Sequence, residues 1–103
     1  MADLFDRLFP AEANTENIPV HYFFAALVDY AAGETTRQQM INYWAMDSEA
    51  QADLNALCDH IDGLSGLGAK LTFALELHAV FMFAEAGAKY TSKVDFRTRL
   101  GIS

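Results

Sequence analysis

Positive charge is scarce in this sequence: lysine and arginine number 7 against 14 aspartates and glutamates, for a net charge of -7 and a pI near 4.6. That balance argues against general affinity for nucleic acid or for an anionic membrane surface. There is one cysteine, so no internal disulfide forms, and a lone thiol fits a reducing compartment. The N-terminal stretch MADLFDRLFPAEANTEN places acids where a secretory signal carries bases, and it has no uninterrupted apolar run. No export by a signal peptide is expected, nor any membrane span, because the longest uncharged run of the most apolar segment, residues 77–84, is far shorter than the roughly 20 residues a bilayer needs. Strand-like alternation of convincing length and internal repeats are both absent.

What is present is apolar and helical in spacing. Hydrophobic residues make up 52% of the 103 and include 8 Phe, 4 Tyr and 1 Trp, too many for a disordered tail and enough for one small core. Leu4, Phe5, Leu8 and Phe9 fall on one helical face over residues 2–9, Asp3 and Asp6 suit its positive end, and Pro10 stops it. A polar linker covers 11–17. Ile18 and Pro19 then open a helix to about residue 32, with Pro19 in the first turn and Phe23, Phe24, Leu27, Val28 and Ala31 inward, and Gly33 closes it. Thr35 with Gln38 reads as a capping box for a helix that turns Met40, Ile41, Tyr43 and Trp44 inward; Ser48 with Gln51 reads as a second box, for a helix with Leu54, Leu57, Cys58 and Ile61 as its core stripe.

Glycines at 63, 66 and 68 mark a flexible turn over 63–68. Residues 69–87 are apolar nearly all round (Leu71, Phe73, Leu75, Leu77, Val80, Phe81, Met82, Phe83), broken by Glu76, His78 and Glu85, and a helix of that kind is buried on more than one side. Either the remaining helices cover it or a partner does. Ser92 with Asp95 opens a last short helix in which Val94, Phe96 and Leu100 dock and Gly101 ends the run. The expected fold is therefore all-α, a single domain of about five helices around the apolar helix at 69–87: a short helix and linker at 1–17, three helices at 18–62, the glycine turn, and the long helix with a basic terminal helix at 69–103.

Chemistry is thinly signalled. The helical pair across 35–60 has helix-turn-helix spacing, yet its second helix, SEAQADLNALCDHID, holds Glu49, Asp53, Asp59 and Asp62 and neither Lys nor Arg, so phosphates are repelled. Metal ligands would have to come from His21, Cys58, His60 and His78 with Asp59, Asp62 or Glu76, but Cys58 and His60 stand two apart on a helix and point about 200° from each other. Cys58 sits late in its helix among core residues, where no helix N-terminus lowers its pKa. No GxSxG, phosphate loop or HExxH occurs, and among the carboxylates only Glu76 has an apolar surround. No catalytic residue, cofactor or metal is assigned.

Charge asymmetry is the most functional-looking feature. Residues 1–62 carry eleven acids and two bases, Arg7 and Arg37, for -9; residues 63–103 carry three acids and five bases, for +2, with Lys89, Lys93, Arg97 and Arg99 close together. A solvated face is the plain reading of such runs. The sharper one joins the basic end of one molecule to an acidic face of another.

The segment IPVHYFFAALVDYAAGETTRQQMINYWAMDSEAQADLNALCDHI resembles small helical proteins encoded in tailed-bacteriophage genomes. The likeness runs over 18–61: an apolar helix after a polar lead-in, then Gly33, Glu34 and Thr35, a helix with Gln38 and Gln39, an aromatic at Trp44, a break at Met46 and Asp47, and an acidic helix to Ile61. It implies a structural protein of the virion, in capsid, neck or tail, or an accessory factor in the cytoplasm of the infected host, with protein partners or copies of itself and no direct nucleic-acid or membrane contact. The alternative is an acidic inhibitor that offers Glu49, Asp53, Asp59 and Asp62 as phosphate surrogates to a basic host protein.

Overall fold

The computed structural model describes residues 3–10, 17–86 and 93–102. Among them are six helices and no strand: α1 (Leu4–Leu8), α2 (Val20–Ala31), α3 (Arg37–Tyr43), α4 (Ser48–Asp62), α5 (Gly66–Ala86) and α6 (Lys93–Leu100). The fold is an all-α single globule, with a Cα radius of gyration of 12.8 Å, close to the ~13 Å of a folded chain this long. The linker at 11–16, Gly87, Lys89, Ser92 and the side chains of Phe83 and Glu85 lie outside the described residues.

Helix boundaries follow their caps, and several sit one residue from where spacing alone puts them. Thr36, not Thr35, caps α3: its hydroxyl accepts from the Gln39 N–H while the Gln39 side chain accepts from the Thr36 N–H. Thr35 instead donates its hydroxyl proton to the same Gln39 oxygen. Likewise Asp47 rather than Ser48 caps α4, accepting from the Ala50 N–H, and Gln51 reaches back to the Met46 carbonyl. Thr–Thr and Asp–Ser are adjacent pairs of good caps, so the register is decided by which backbone turns first. Pro19 is the N-cap of α2 and not part of its first turn. The glycine turn is also shorter than expected: α5 begins at Gly66, not at 69, leaving 63–65 as the connection.

Gly33, past the end of α2, takes φ +81°, and the following Glu34 N–H returns to the Asp29 carbonyl at 2.8 Å, the left-handed helix stop that glycine permits. Gly101 does the same for α6 at φ +76°. A Cβ there would stand 2.7 Å from the His60 ring, so this glycine also permits close approach of the C-terminal turn to α4.

Packing centres on α2 and α5, the largest helix–helix contact. Phe24 stacks on Phe81 with centroids 4.6 Å apart and planes 7° from parallel, and Phe96 of α6 meets Phe81, Phe5 and Phe9 edge-on at 5.3–5.8 Å. These five phenylalanines join α1, α2, α5 and α6. From α4, Leu54, Leu57, Cys58 and Ile61 complete the core as expected, all fully buried. Among the described side chains of α5, cover is one-sided: Ala74, Leu77 and Phe81 are buried at helical spacing with Leu71, Phe73 and Val80 partly buried against the core, whereas Leu67, Leu75 and Met82 are exposed, as is Glu76. The expectation of burial on more than one side fails because the other helices are too short to wrap a 21-residue rod. Val94 does not dock either; it is 72% exposed, and among the described residues of α6 only Phe96 and Leu100 are buried.

These positions separate in a stability measurement. Phe81→Ala should lose about 3–5 kcal/mol, while Met82→Ala, one residue along on the open face, should change chemical-denaturation stability by less than about 0.5 kcal/mol.

Candidate functional site

Three polar arrangements bring the candidate residues of the sequence into contact with one another. In the first, Asp53 on α4 is 7% exposed. One of its oxygens accepts the Leu4 N–H at 3.1 Å and the other faces the Arg97 guanidinium at 2.7 Å. In the second, Lys93 lies 2.7 Å from Asp3 and 3.7 Å from Asp6. Burial pushes the Asp3 carboxyl up, but hydrogen bonds from Lys93 and the Asp6 N–H outweigh it and the net shift is downward; the Asp3 bond in turn raises Lys93. In the third, Arg37 donates to Tyr30 Oη, Asn55, Asp59 and Asp62 at 2.7–3.2 Å, and the Tyr30 hydroxyl donates to Asp62 at 2.9 Å. The Tyr30 bond is the main reason that the Arg37 pKa is raised, and burial is the main reason that Tyr30 itself titrates above its ordinary value.

The expected acidic face is therefore not one face. Asp53 is interior, Asp59 and Asp62 are shared with Arg37, and only Glu49 stands exposed with no partner among the described residues. The basic end is also turned inward: Lys93 and Arg97 bind acids of their own chain, and Arg99 remains exposed. The sequence showed the sign of each charge but not the angle at which α6 returns, and that angle decides which acids it meets.

Cys58 is fully buried. Burial pushes its thiol up to about 12, so at neutral pH it is not a thiolate nucleophile. Among the described residues no three His, Cys, Asp or Glu converge as a metal would require, and no helix is long and apolar enough to cross a membrane. His60 rests against Phe73 with centroids 4.8 Å apart.

A concavity between two helices involves none of the candidate acids or bases. A groove of 690 Å³ lies between α2 and α3, walled by Pro19, Tyr22, Ala26 and Asp29 on one side and by Gln39, Met40, Tyr43 and Trp44 on the other, with Glu34 and Thr35 at the connecting turn. Tyr22 is 61% and Tyr43 80% exposed. Tyr43, expected inward, points out because the buried stripe of this seven-residue helix runs through Met40, Ile41 and Trp44 and leaves Tyr43 on the flank. Trp44 contacts both, edge-on to Tyr43 at 5.3 Å and tilted against Phe23 at 5.8 Å.

Arg7 fixes this wall from behind. It is buried and donates to the Trp44 carbonyl at 2.7 Å, directly before Ala45, the one non-glycine residue at positive φ (+48°) among the described residues. That conformation costs an L-residue about 1–2 kcal/mol, and the Arg7 bond and the α3–α4 corner hold it. A readable signal did exist: residues 19, 22, 26 and 29 share a helix flank, and an aromatic there, beside the apolar stripe, marks exposed ring surface.

Comparison of the chain with protein-family models, curated proteins and solved structures gives no match to any of them.

Two measurements test these assignments. Asp53→Ala leaves the Leu4 N–H without its acceptor and removes the carboxylate that faces Arg97, and should cost about 2–3 kcal/mol, whereas Glu49→Ala should stay within about 0.5 kcal/mol of wild type. Asp3→Asn keeps the α1 cap but removes the charge facing Lys93. Because Asp3 is shifted down in the folded state, its contribution is present above its unfolded pKa of about 3.9 and fades as pH falls through the folded value. Because Lys93 is shifted up, its share is present below about 10.4 and fades as pH rises through its folded value. The stability gap between wild type and Asp3→Asn should thus be flat from about pH 5 to 9, below about 1 kcal/mol, and should close at both extremes.

Proposed function

We propose that this chain is a non-enzymatic structural or protein-interaction protein that seats a protein partner in the α2–α3 groove. The observation that supports this reading most directly is the pair of exposed tyrosines, Tyr22 and Tyr43, flanking Trp44 in a preformed concavity. Tyrosine and tryptophan offer large, stiff contact area at low entropic cost and dominate the energetic centres of protein interfaces. In the setting implied by the bacteriophage resemblance, the protein is a part of the virion or an accessory factor in the infected cell. Abundance in purified particles at a fixed ratio to the capsid protein supports the first; expression without incorporation supports the second.

The phosphate-surrogate reading draws no support from the placement of its acids, since Asp53 is buried and Asp59 and Asp62 are bridged by Arg37.

A photoactivatable phenylalanine analogue placed at Tyr43 or Tyr22, in the native cellular background, should give one defined protein adduct on irradiation. The same group at Val94, also exposed but on α6 and outside the groove lining, should not give it. Equal labelling from all three sites, or none from any, would remove the groove as the binding surface.

A further inference from the structure

The groove is chemically polarised along its length. Asp29, Glu34, Thr35 and Gln39 are its residues closest to the α2–α3 turn, while the tyrosines and Trp44 lie toward the opposite end. Neither the Asp29 nor the Glu34 carboxylate has a side-chain partner among the described residues, and both are exposed. Among the described residues no lysine or arginine lines the groove. The nearest in sequence, Arg37, is engaged with Tyr30 and the acids of α4, and Arg7 holds the Trp44 carbonyl from the interior. Two carboxylates without a side-chain partner among the described residues therefore stand at one end of a ring-walled groove.

We infer that the occupant of this groove is a basic protein segment, with an arginine or lysine head between Asp29 and Glu34 and an apolar residue of the same segment against Tyr22 and Tyr43. Charge complementarity selects it. The carboxylates attract a guanidinium or ammonium, the phenol faces take up the apolar side chain of the same segment, and the net charge of -7 draws a basic chain from a distance. Spacing sets the register. Tyr22 and Asp29 are seven residues apart on α2, about 10 Å at 1.5 Å per residue, which an extended segment covers in about three residues at ~3.3 Å each. This inference rests on the groove being the binding surface and adds the chemistry of what it binds.

The test uses hexapeptides in a Gly-Ser host that carry one arginine and, three positions away, one leucine, titrated against the full chain. Trp44, the single tryptophan, reports by fluorescence, and amide NMR shifts locate the contact. Binding should be weak and salt-sensitive, and should disappear when the peptide arginine becomes glutamate. Asp29→Asn combined with Glu34→Gln should weaken it about tenfold and flatten its salt dependence, while Tyr22→Ala should weaken it about as much and leave the salt dependence intact. All three positions are exposed, so an unchanged melting midpoint certifies the fold of each variant.

Equal binding of the arginine and glutamate peptides overturns the inference, as does indifference to the Asp29–Glu34 double variant. So does a concentration-dependent dimer abolished by Tyr22→Ala, which would make a second copy the occupant. If no peptide binds but crosslinking from Tyr43 still captures one protein, the basic-segment chemistry falls and the groove stands. If crosslinking fails as well, both fall.

Discussion

One buried carboxylate joins the two ends of this chain to its middle. Asp53 takes the Leu4 N–H with one oxygen and Arg97 with the other, so α1, α4 and α6 converge on a single side chain that is almost wholly out of water. The four leading N–H groups of any helix lack internal partners, and α1, with five residues, is too short to be stable by itself. It persists because Asp3 caps it, Asp53 satisfies its first amide, and Leu4 and Leu8 are buried. Arg97 matters in the same way from the other side: a buried carboxylate facing only an amide would be costly, and the guanidinium offsets that cost. Once α1 is fixed, Arg7 reaches the Trp44 carbonyl and the α3–α4 corner is fixed with it.

The distribution of charge along the sequence takes on a different meaning in this light. An acidic first part and a basic last part suggest attraction between molecules, and the same attraction operates within one: Lys93 on Asp3 and Asp6, Arg97 on Asp53. At a local concentration set by the connecting chain, the intramolecular contact competes favourably with any intermolecular one. Arg99 stays exposed on α6, and the exposed carboxylates without a side-chain partner among the described residues include Asp29 and Glu34 beside the turn between α2 and α3.

The helical class, the core stripe of α4 and the glycine stops at Gly33 and Gly101 were legible because each depends on local spacing or on a backbone conformation that one residue type favours. Cap registers at Thr36 and Asp47 were displaced by one residue since neighbouring residues are equally able to cap, and only the turn geometry chooses. The exposure of Tyr43, Val94 and Met82 was not legible. Those side chains belong to apolar patterns, but Tyr43 lies on the flank of the α3 stripe and Met82 on the uncovered side of α5, and which flank is covered is a property of the assembled fold. The groove was missed for a related reason: its acids, Asp29 and Glu34, are separated in sequence from its rings and join them only when Gly33 reverses the chain.

Apart from the single Val94 on α6, the exposed large apolar side chains among the described residues lie in two places, and the two differ physically. On α5, Leu67, Leu75 and Met82 form an open aliphatic flank, and among the neighbouring described residues nothing specifies an orientation or a partner chemistry. Between α2 and α3, ring surface, a buried floor at Met40 and two unpaired carboxylates are arranged around a concavity. Hydrophobic area alone gives adhesion without selectivity; direction comes from polar groups placed so that a wrong partner leaves them desolvated and unpaired. The groove has that second property, and its Trp44 wall is held by a buried arginine against the strained turn at Ala45. Its shape is therefore fixed before any partner arrives, which lowers the ordering cost of association and distinguishes it from surface that is merely uncovered.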